Sequence, residues 1–422
     1  YIMLIKKNKG RKAGRNRIIQ GLSMIMVLAL IMTSSFNYHG MVAYAEENTT
    51  QFAGGEGTEA NPYRIETPAQ LNQARFYLDS AFILMNDITF TTAHFNSTAG
   101  DEPTGENFYN SGSGWRAIGT AEYPFTGTFD GNGHVISGIY AIAPQTYDKR
   151  GLFGCSSGTI KNLELTNGML SFTSTYKYSM GSLVGSNSGT IDNCSWTMDL
   201  ATQQAITGTL YFGCIASYNE GLVNQCTGSS NLLLTQDISQ TNISSNAQKI
   251  GGGIVGFNKG TVSNCATEGS TQVANTFLQS FGGVAGSNDG NIISCDNAMN
   301  VSKSSAQLGY YGGIAASNQG LIDGCSNVGK IVGYREAGGI AGYNGGKIQL
   351  SNNQGAVSAV ISFSEAGFYE AVAGGIAGQN TNIISKCYNT GLIEADGGYD
   401  LKGKAYAGGI AGYHLGSIFA WY

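Results

Sequence analysis

The sequence predicts an all-β protein, a parallel β-helix (β-solenoid) whose N-terminal cap contains one short helix. Three observations predict it. The first is a stretch written again and again: Gly252-Gly253-Ile254-Val255-Gly256-Phe257-Asn258 recurs as Gly282-Gly283-Val284-Ala285-Gly286-Ser287-Asn288, Gly312-Gly313-Ile314-Ala315-Ala316-Ser317-Asn318, Gly338-Gly339-Ile340-Ala341-Gly342-Tyr343-Asn344 and Gly374-Gly375-Ile376-Ala377-Gly378-Gln379-Asn380. A further copy, Gly408-Gly409-Ile410-Ala411-Gly412-Tyr413-His414, ends in histidine, and looser ones stand at residues 181 to 193, 213 to 225 and 151 to 162. The second is the period, 26 to 39 residues between successive Asn positions, which is the signature of a stacked-repeat architecture. The third is proline: all five (Pro62, Pro68, Pro103, Pro124, Pro144) precede residue 150. Proline cannot donate to a sheet ladder, so the rest of the chain suits unbroken strand pairing.

Residues 1 to 45 read as a secretory signal peptide. Lys6, Lys7, Lys9, Arg11, Lys12, Arg15 and Arg17 form a basic front, Leu22 to Met32 an apolar run, and Ala43-Tyr44-Ala45 a small-x-small cleavage site. Removing the seven basic residues leaves 16 Lys and Arg against 28 acidic residues, near −12. Nucleic acid and anionic membrane are poor partners for that charge. The chain starts at Tyr1 and stops within a repeat at Tyr422, so it reads as part of a longer one.

Residues 46 to 150 read as the cap and first turns. Thr67-Pro68-Ala69-Gln70 is a capping-box candidate with proline at the first helical position, and Leu71, Ala74, Arg75 and Leu78 follow at helical spacing. Residues 82 to 85 and 88 to 90 read as strands, and 91 to 114 as a loop. Apolar alternation on both sides of Asp130-Gly131-Asn132-Gly133 indicates two short strands around a tight turn.

Residues 151 to 422 read as the repetitive rod. Each repeat is expected to hold three strands: Gly-Gly-Ile-Ala-Gly, then Gly-x-Ile-x-x-Cys, then a Gly-x-Ile or Gly-x-Val piece such as Gly329-Lys330-Ile331-Val332. Asn-x-Gly turns separate them, because Asn and Gly tolerate a left-handed backbone. One corner is fixed and another is free to grow. Nine copies stacked about 4.8 Å apart give a rod of roughly 43 Å. Stacking puts like residues over like: Ile254, Val284, Ile314, Ile340, Ile376 and Ile410 form one apolar column, and Asn187, Asn219, Asn258, Asn288, Asn318, Asn344 and Asn380 form an amide ladder. Cys194, Cys226, Cys265, Cys295, Cys325 and Cys387 share another slot, with Ser351 replacing the seventh. Stacked Cβ atoms lie beyond the disulfide optimum, so these read as buried thiols serving as small apolar residues.

These repeats resemble the GLUG motif of bacterial secreted and cell-surface proteins over about residues 151 to 422. Gly55-Glu56-Gly57-Thr58 with Asn61-Pro62-Tyr63, and Phe125 to His134, resemble the region preceding such repeats. The resemblance implies a right-handed β-helix with roles in adhesion or surface display. Some such proteins carry the repeats upstream of an immunoglobulin-A-cleaving zinc metallopeptidase domain.

Candidate chemistry is thin. His94, His134 and His414 are the only histidines after residue 45, with neither His-Glu-x-x-His nor Cys-x-x-Cys, so no metal site, cofactor site or catalytic residue is assigned. Gly154-Cys155-Ser156-Ser157-Gly158 spells a nucleophile elbow and Gly251 to Gly256 a dinucleotide loop, yet both occupy repeat slots with no helix to follow. Asp130 to His134 lacks the distal glutamate of a calcium loop. Asp192 and Asp323 share a slot four turns apart, roughly 19 Å, too far for a carboxylate pair. Tyr310, Tyr311, Tyr334, Tyr369 and Tyr399, with Phe363, Phe368 and Tyr406, fall where corners vary and are candidates for surface contact.

The expected function is therefore non-catalytic: a secreted or cell-surface adhesion and scaffold module whose partner is a surface glycan or protein. The alternatives are the stalk of a larger secreted zinc metallopeptidase and a polysaccharide-active β-helix. With no capping element around Trp421, the isolated chain is also expected to associate end to end.

Overall fold

A computed structural model describes residues 52–95, 108, 110–143, 149–172, 178–197, 209–234, 249–273, 280–303, 309–361, 370–398 and 404–419. The signal segment, Phe363, Phe368, Tyr369, Tyr399 and Trp421 lie outside the described residues. What is described is a parallel β-helix in which each strand pairs in parallel with its equivalent one coil before and after.

The coil has three faces. The first is a nine-stranded sheet running from Phe153–Ser156 to Ala411–His414, one strand per repeat. The second is a twelve-stranded sheet running from Tyr63–Ile65 to Ser417–Phe419. The third, of 22 strands, has two arms: a leading arm such as Ala266–Val273 after the cysteine, and a returning arm such as Lys249–Gly252 that leads back to the first face. The three-strand expectation is thus corrected. Gly-Gly-Ile-Ala-Gly is not a strand but a corner, with Gly252 ending one strand and Val255 beginning the next.

Repeat length varies at one place, between the two arms. The coil from Asn318 to Asn344 is the shortest, and there the arms fuse into the single strand Ile331–Gly338, which pairs with Val357–Val360 on one arm and Glu370–Gly374 on the other. With no intervening residues, the bend falls on Arg335, whose φ of 77° is left-handed. Elsewhere in the repeats left-handed Asn167 marks the end of the strand Glu164–Thr166, and the other left-handed non-glycine residues mark the corner before the cysteine slot: Asn162, Asn193, Gln225, Asn264, Ser294, Leu350 and Lys386. Only some of these are Asn, so that corner was invisible to a search for Asn-x-Gly.

The core is built from columns. Phe129, Ile160, Ile191, Val223, Val262, Ile292, Ile322, Ile348 and Ile384 stack directly along the second face, all fully buried. Burying each such side chain contributes about 1.5–3 kcal/mol. The expected corner column of Ile254, Val284, Ile314, Ile340 and Ile376 is fully buried too, and Ile410 in the last described coil is partly buried.

The cap follows the sequence closely. Pro68–Gln73 is helical, Thr67 Oγ1 accepts from the Gln70 amide at 3.2 Å, and Gln70 Oε1 accepts from the amide of Glu66 at 2.7 Å. The strands Thr128–Asp130 and Val135–Ser137 do flank a tight turn, with Asn132 and Gly133 left-handed. They pair with neighbouring coils rather than with each other, so the turn is a coil corner.

Candidate functional site: buried polar columns and exposed rings

The asparagine ladder forms as a continuous amide chain. Each Nδ2 donates to the Oδ1 one coil on: Asn187 to Asn219 at 2.8 Å, Asn219 to Asn258 at 2.8 Å, Asn258 to Asn288 at 2.7 Å, Asn288 to Asn318 at 2.8 Å, Asn318 to Asn344 at 2.7 Å and Asn344 to Asn380 at 2.6 Å. Asn380 Nδ2 then meets His414 Nδ1 at 3.1 Å. The second Nδ2 proton caps a corner carbonyl, as when Asn318 reaches Gly320 O at 3.3 Å, so these fully buried amides are satisfied.

A second ladder escaped the sequence reading. Thr267 Oγ1 donates to Asn297 Oδ1 at 2.6 Å, and amides continue from Asn297 to Asn327 at 2.6 Å, to Asn353 at 2.7 Å and to Asn389 at 2.6 Å. Its signal was in plain view as an Asn two places after the cysteine slot. This ladder explains the doubled glycine. A Cβ on Gly313 would sit 2.4 Å from Asn327 Cγ and 2.1 Å from Gly339 O, and one on Gly339 would sit 2.2 Å from both Asn353 Cγ and Gly375 O. The ladder amide and the next coil's carbonyl fill the space a side chain would need.

The cysteine column lies beside it. All eight cysteines are free thiols. Cys226 Sγ donates to Asn224 O at 3.2 Å and Cys265 Sγ to Ser263 O at 3.2 Å, while the Cys226 amide donates to Cys265 Sγ at 3.4 Å and the Cys295 amide to Cys325 Sγ at 3.5 Å. Ser351 keeps the same scheme, accepting from the Cys325 amide at 3.1 Å and donating to Gln349 O at 2.8 Å. Burial pushes the Cys214 and Cys226 thiols well up and raises Cys387 to about 11.

The tyrosines divide. Tyr311 and Tyr334 are buried, at 0% and 6% exposure, and so are corrected from surface candidates to core residues. Tyr311 follows Phe281 in the returning-arm column, an alternation a corner position did not reveal. Tyr310 and Tyr406 are half-buried. Rings of the returning arm meet rings of the first face: Tyr211 with Phe257 at 5.3 Å, Tyr310 with Tyr343 at 5.3 Å, and Tyr406 with Tyr413 at 6.4 Å. Tyr218 stacks on Phe257 at 5.3 Å, and Lys259 Nζ lies 5.5 Å from the Tyr218 ring. These rings form three partly exposed clusters, separated along the first face by Ser287 and by Gln379.

The charged groups do not converge. Asp192 Oδ1 accepts from Asn224 Nδ2 at 2.7 Å and Asp323 Oδ2 from Gln349 Nε2 at 2.9 Å, so each is tied to its own neighbouring coil. Asp130 accepts from Asn132 N at 2.8 Å and Asn162 Nδ2 at 3.0 Å, with Lys161 at 3.4 Å, which leaves it bound into the turn. His134 Nδ1 lies 3.1 Å from Asp87 Oδ1, and the Val135 amide and His134 together hold the Asp87 carboxyl below its ordinary value. Burial raises the Glu336 carboxyl despite Arg335 Nε at 3.6 Å. Ser156 and Gly158 belong to a strand and its turn, with no helix behind them. Among the described residues, no three His, Cys, Asp or Glu side chains gather to hold a metal ion, and no helix is long and apolar enough to cross a membrane.

No family model matches the chain. Over 162 residues it is 35% identical to a protein of Evansella cellulosilytica described as "Putative Gly-rich membrane protein", a match covering 37% of this chain and 17% of that one. Over 142 residues it is 32% identical to halomucin of Haloquadratum walsbyi, covering 33% of this chain and 1% of halomucin. The chain thus spans less than a fifth of the curated relatives it matches. Among solved structures, a "putative immunoglobulin A1 protease" from Bacteroides ovatus superposes with a TM-score of 0.45 at 20% identity, covering 77% of this chain and 86% of that one.

Proposed function

We propose that the chain is a non-catalytic module of a secreted or cell-surface protein, a GLUG-type β-helical rod used for display and adhesion. One observation carries this reading: length variation is confined to a single site on a stack whose register is otherwise locked by two amide ladders. Such a frame presents different segments from one side without disturbing the core, which is what a repeated display surface requires. The aromatic clusters beside it supply rings with polar edges for a glycan or protein partner. An extracellular setting agrees with the N-terminal signal pattern and with the names of the two curated relatives. The metallopeptidase-stalk reading shares this module and differs only in what else the polypeptide carries.

The test is retention of the purified chain on mucin-, cellulose- and chitin-coated beads, with reducing ends and 235 nm absorbance followed in the supernatant. Retention without product is expected. Release of reducing ends or unsaturated sugars would replace this reading with a polysaccharide-active enzyme, and retention on none of the three would remove glycan adhesion.

A further inference from the structure

The cysteine slot holds a feature that display and adhesion do not use. Cys194, Cys226, Cys265, Cys295 and Cys325 occupy five successive coils without a break, all at most 1% exposed. The residues after them are direct register partners, Ser195 with Thr227, Thr227 with Ala266, Ala266 with Asp296 and Asp296 with Ser326, so the five side chains stand in one file. Adjacent coils of the file are linked through sulfur, the Cys226 amide donating to Cys265 Sγ at 3.4 Å and the Cys295 amide to Cys325 Sγ at 3.5 Å. Packing and hydrogen bonding alone do not require sulfur here, because Ser351 fills the same slot, fully buried, with the same donor and acceptor roles. What sulfur adds is softness.

We propose that this file is a linear binding site for soft monovalent d10 cations, Cu(I) or Ag(I), one ion between each pair of adjacent sulfurs. Thiolates are the ligands such ions prefer. The geometry fits. Coils repeat at about 4.7–4.9 Å, and a straight sulfur–metal–sulfur unit with bonds like the about 2.3 Å of zinc–thiolate spans about 4.6 Å. The charge balance fits as well. Each ion enters as M⁺, one thiol S–H bond breaks, its proton leaves to water, and two sulfur–metal bonds form, so the buried file gains no net charge. Five sulfurs provide four gaps, and the fifth thiol keeps its proton. Ser351 separates Cys387 from the file, while Cys155 and Cys214 lie off it, so none of those three adds a gap.

The test is anaerobic Cu(I) titration of the full chain, both folded and during refolding, in competition with bicinchoninate. Thiolate-to-copper ultraviolet absorption reports loading, and circular dichroism confirms the fold. The expected stoichiometry is four ions per chain. Cys265→Ser removes the two central gaps and leaves two ions, Ser351→Cys joins Cys325 to Cys387 and raises the number to six, and Cys387→Ser leaves it at four. If Cys265→Ser does not fold, the other two variants still decide the matter. Stoichiometry that falls equally for any cysteine replaced, or folded chain that retains no copper against bicinchoninate in either protocol, overturns the proposal.

Discussion

The first coils and the later ones solve the same stacking problem with different materials. Between residues 52 and 143 the core is filled by volume: Phe82 lies 6.3 Å from Phe129, Phe90 lies 5.4 Å from Phe108 and 5.5 Å from Trp115, and Arg75 lies 5.1 Å from the Trp115 ring. From Asn187 and Cys194 onward close backbone approach, amide ladders and thiols join and then replace these rings. The crossover can be followed in a single column, where Leu165 and Trp196 give way to Gly228, Thr267 and then Asn297, Asn327, Asn353 and Asn389. Aromatic packing tolerates irregular coils because its contacts are not directional. A ladder demands strict register, and in return it can be extended coil by coil without redesign.

The comparison breaks most sharply at a doubled glycine. Gly339→Val should cost more than about 4 kcal/mol and abolish a cooperative urea transition, because its side chain would displace both Asn353 and the Gly375 carbonyl. On the other side of the comparison, Phe129→Ala should lower stability by about 3–5 kcal/mol while leaving a cooperative transition, since Phe82 and Phe153 are close enough to relax into the space. Asn318→Ala comes next at about 2–3 kcal/mol. It removes the donor to the buried Asn344 oxygen and leaves Asn288 Nδ2 with only the Gly290 and Leu321 carbonyls, and equilibrium denaturation measures it.

The smallest effect concerns Glu336. Its carboxyl is raised above the unfolded value by burial, so the folded chain holds that proton more tightly. This contribution is fully present below the unfolded Glu range, about pH 4, and is lost as pH rises through the folded value. Glu336→Gln should therefore raise the melting temperature at pH 7 and leave it unchanged at pH 3.5. A variant less stable than the parent at pH 7 would show that the Arg335 contact outweighs the burial.

The supporting columns were legible residue by residue, but of the exposed rings only Tyr310 and Tyr406 were singled out in the sequence. The Asn ladder, the cysteine file and the Ile column follow from periodicity alone, since a stack at fixed spacing puts equal positions over one another. Tyr311 and Tyr334 were misplaced because both fall within strands of the third face, where alternation rather than corner position sets burial. Arg335 and the fused strand were not foreseen because the shortest repeat looks, as a string, like the others with residues missing.

By itself, then, the sequence determined the stacked parallel coil, its period, its columns and the helix that begins the cap, all consequences of local periodicity and capping chemistry. Only the tertiary structure decided that Gly-Gly is a corner, that Asn297, Asn327, Asn353 and Asn389 occupy the space beside it, and where the third face folds back. Those depend on which side chain of one coil reaches which carbonyl or glycine of the next. That is a contact between residues far apart in the chain, on which spacing within a single repeat is silent.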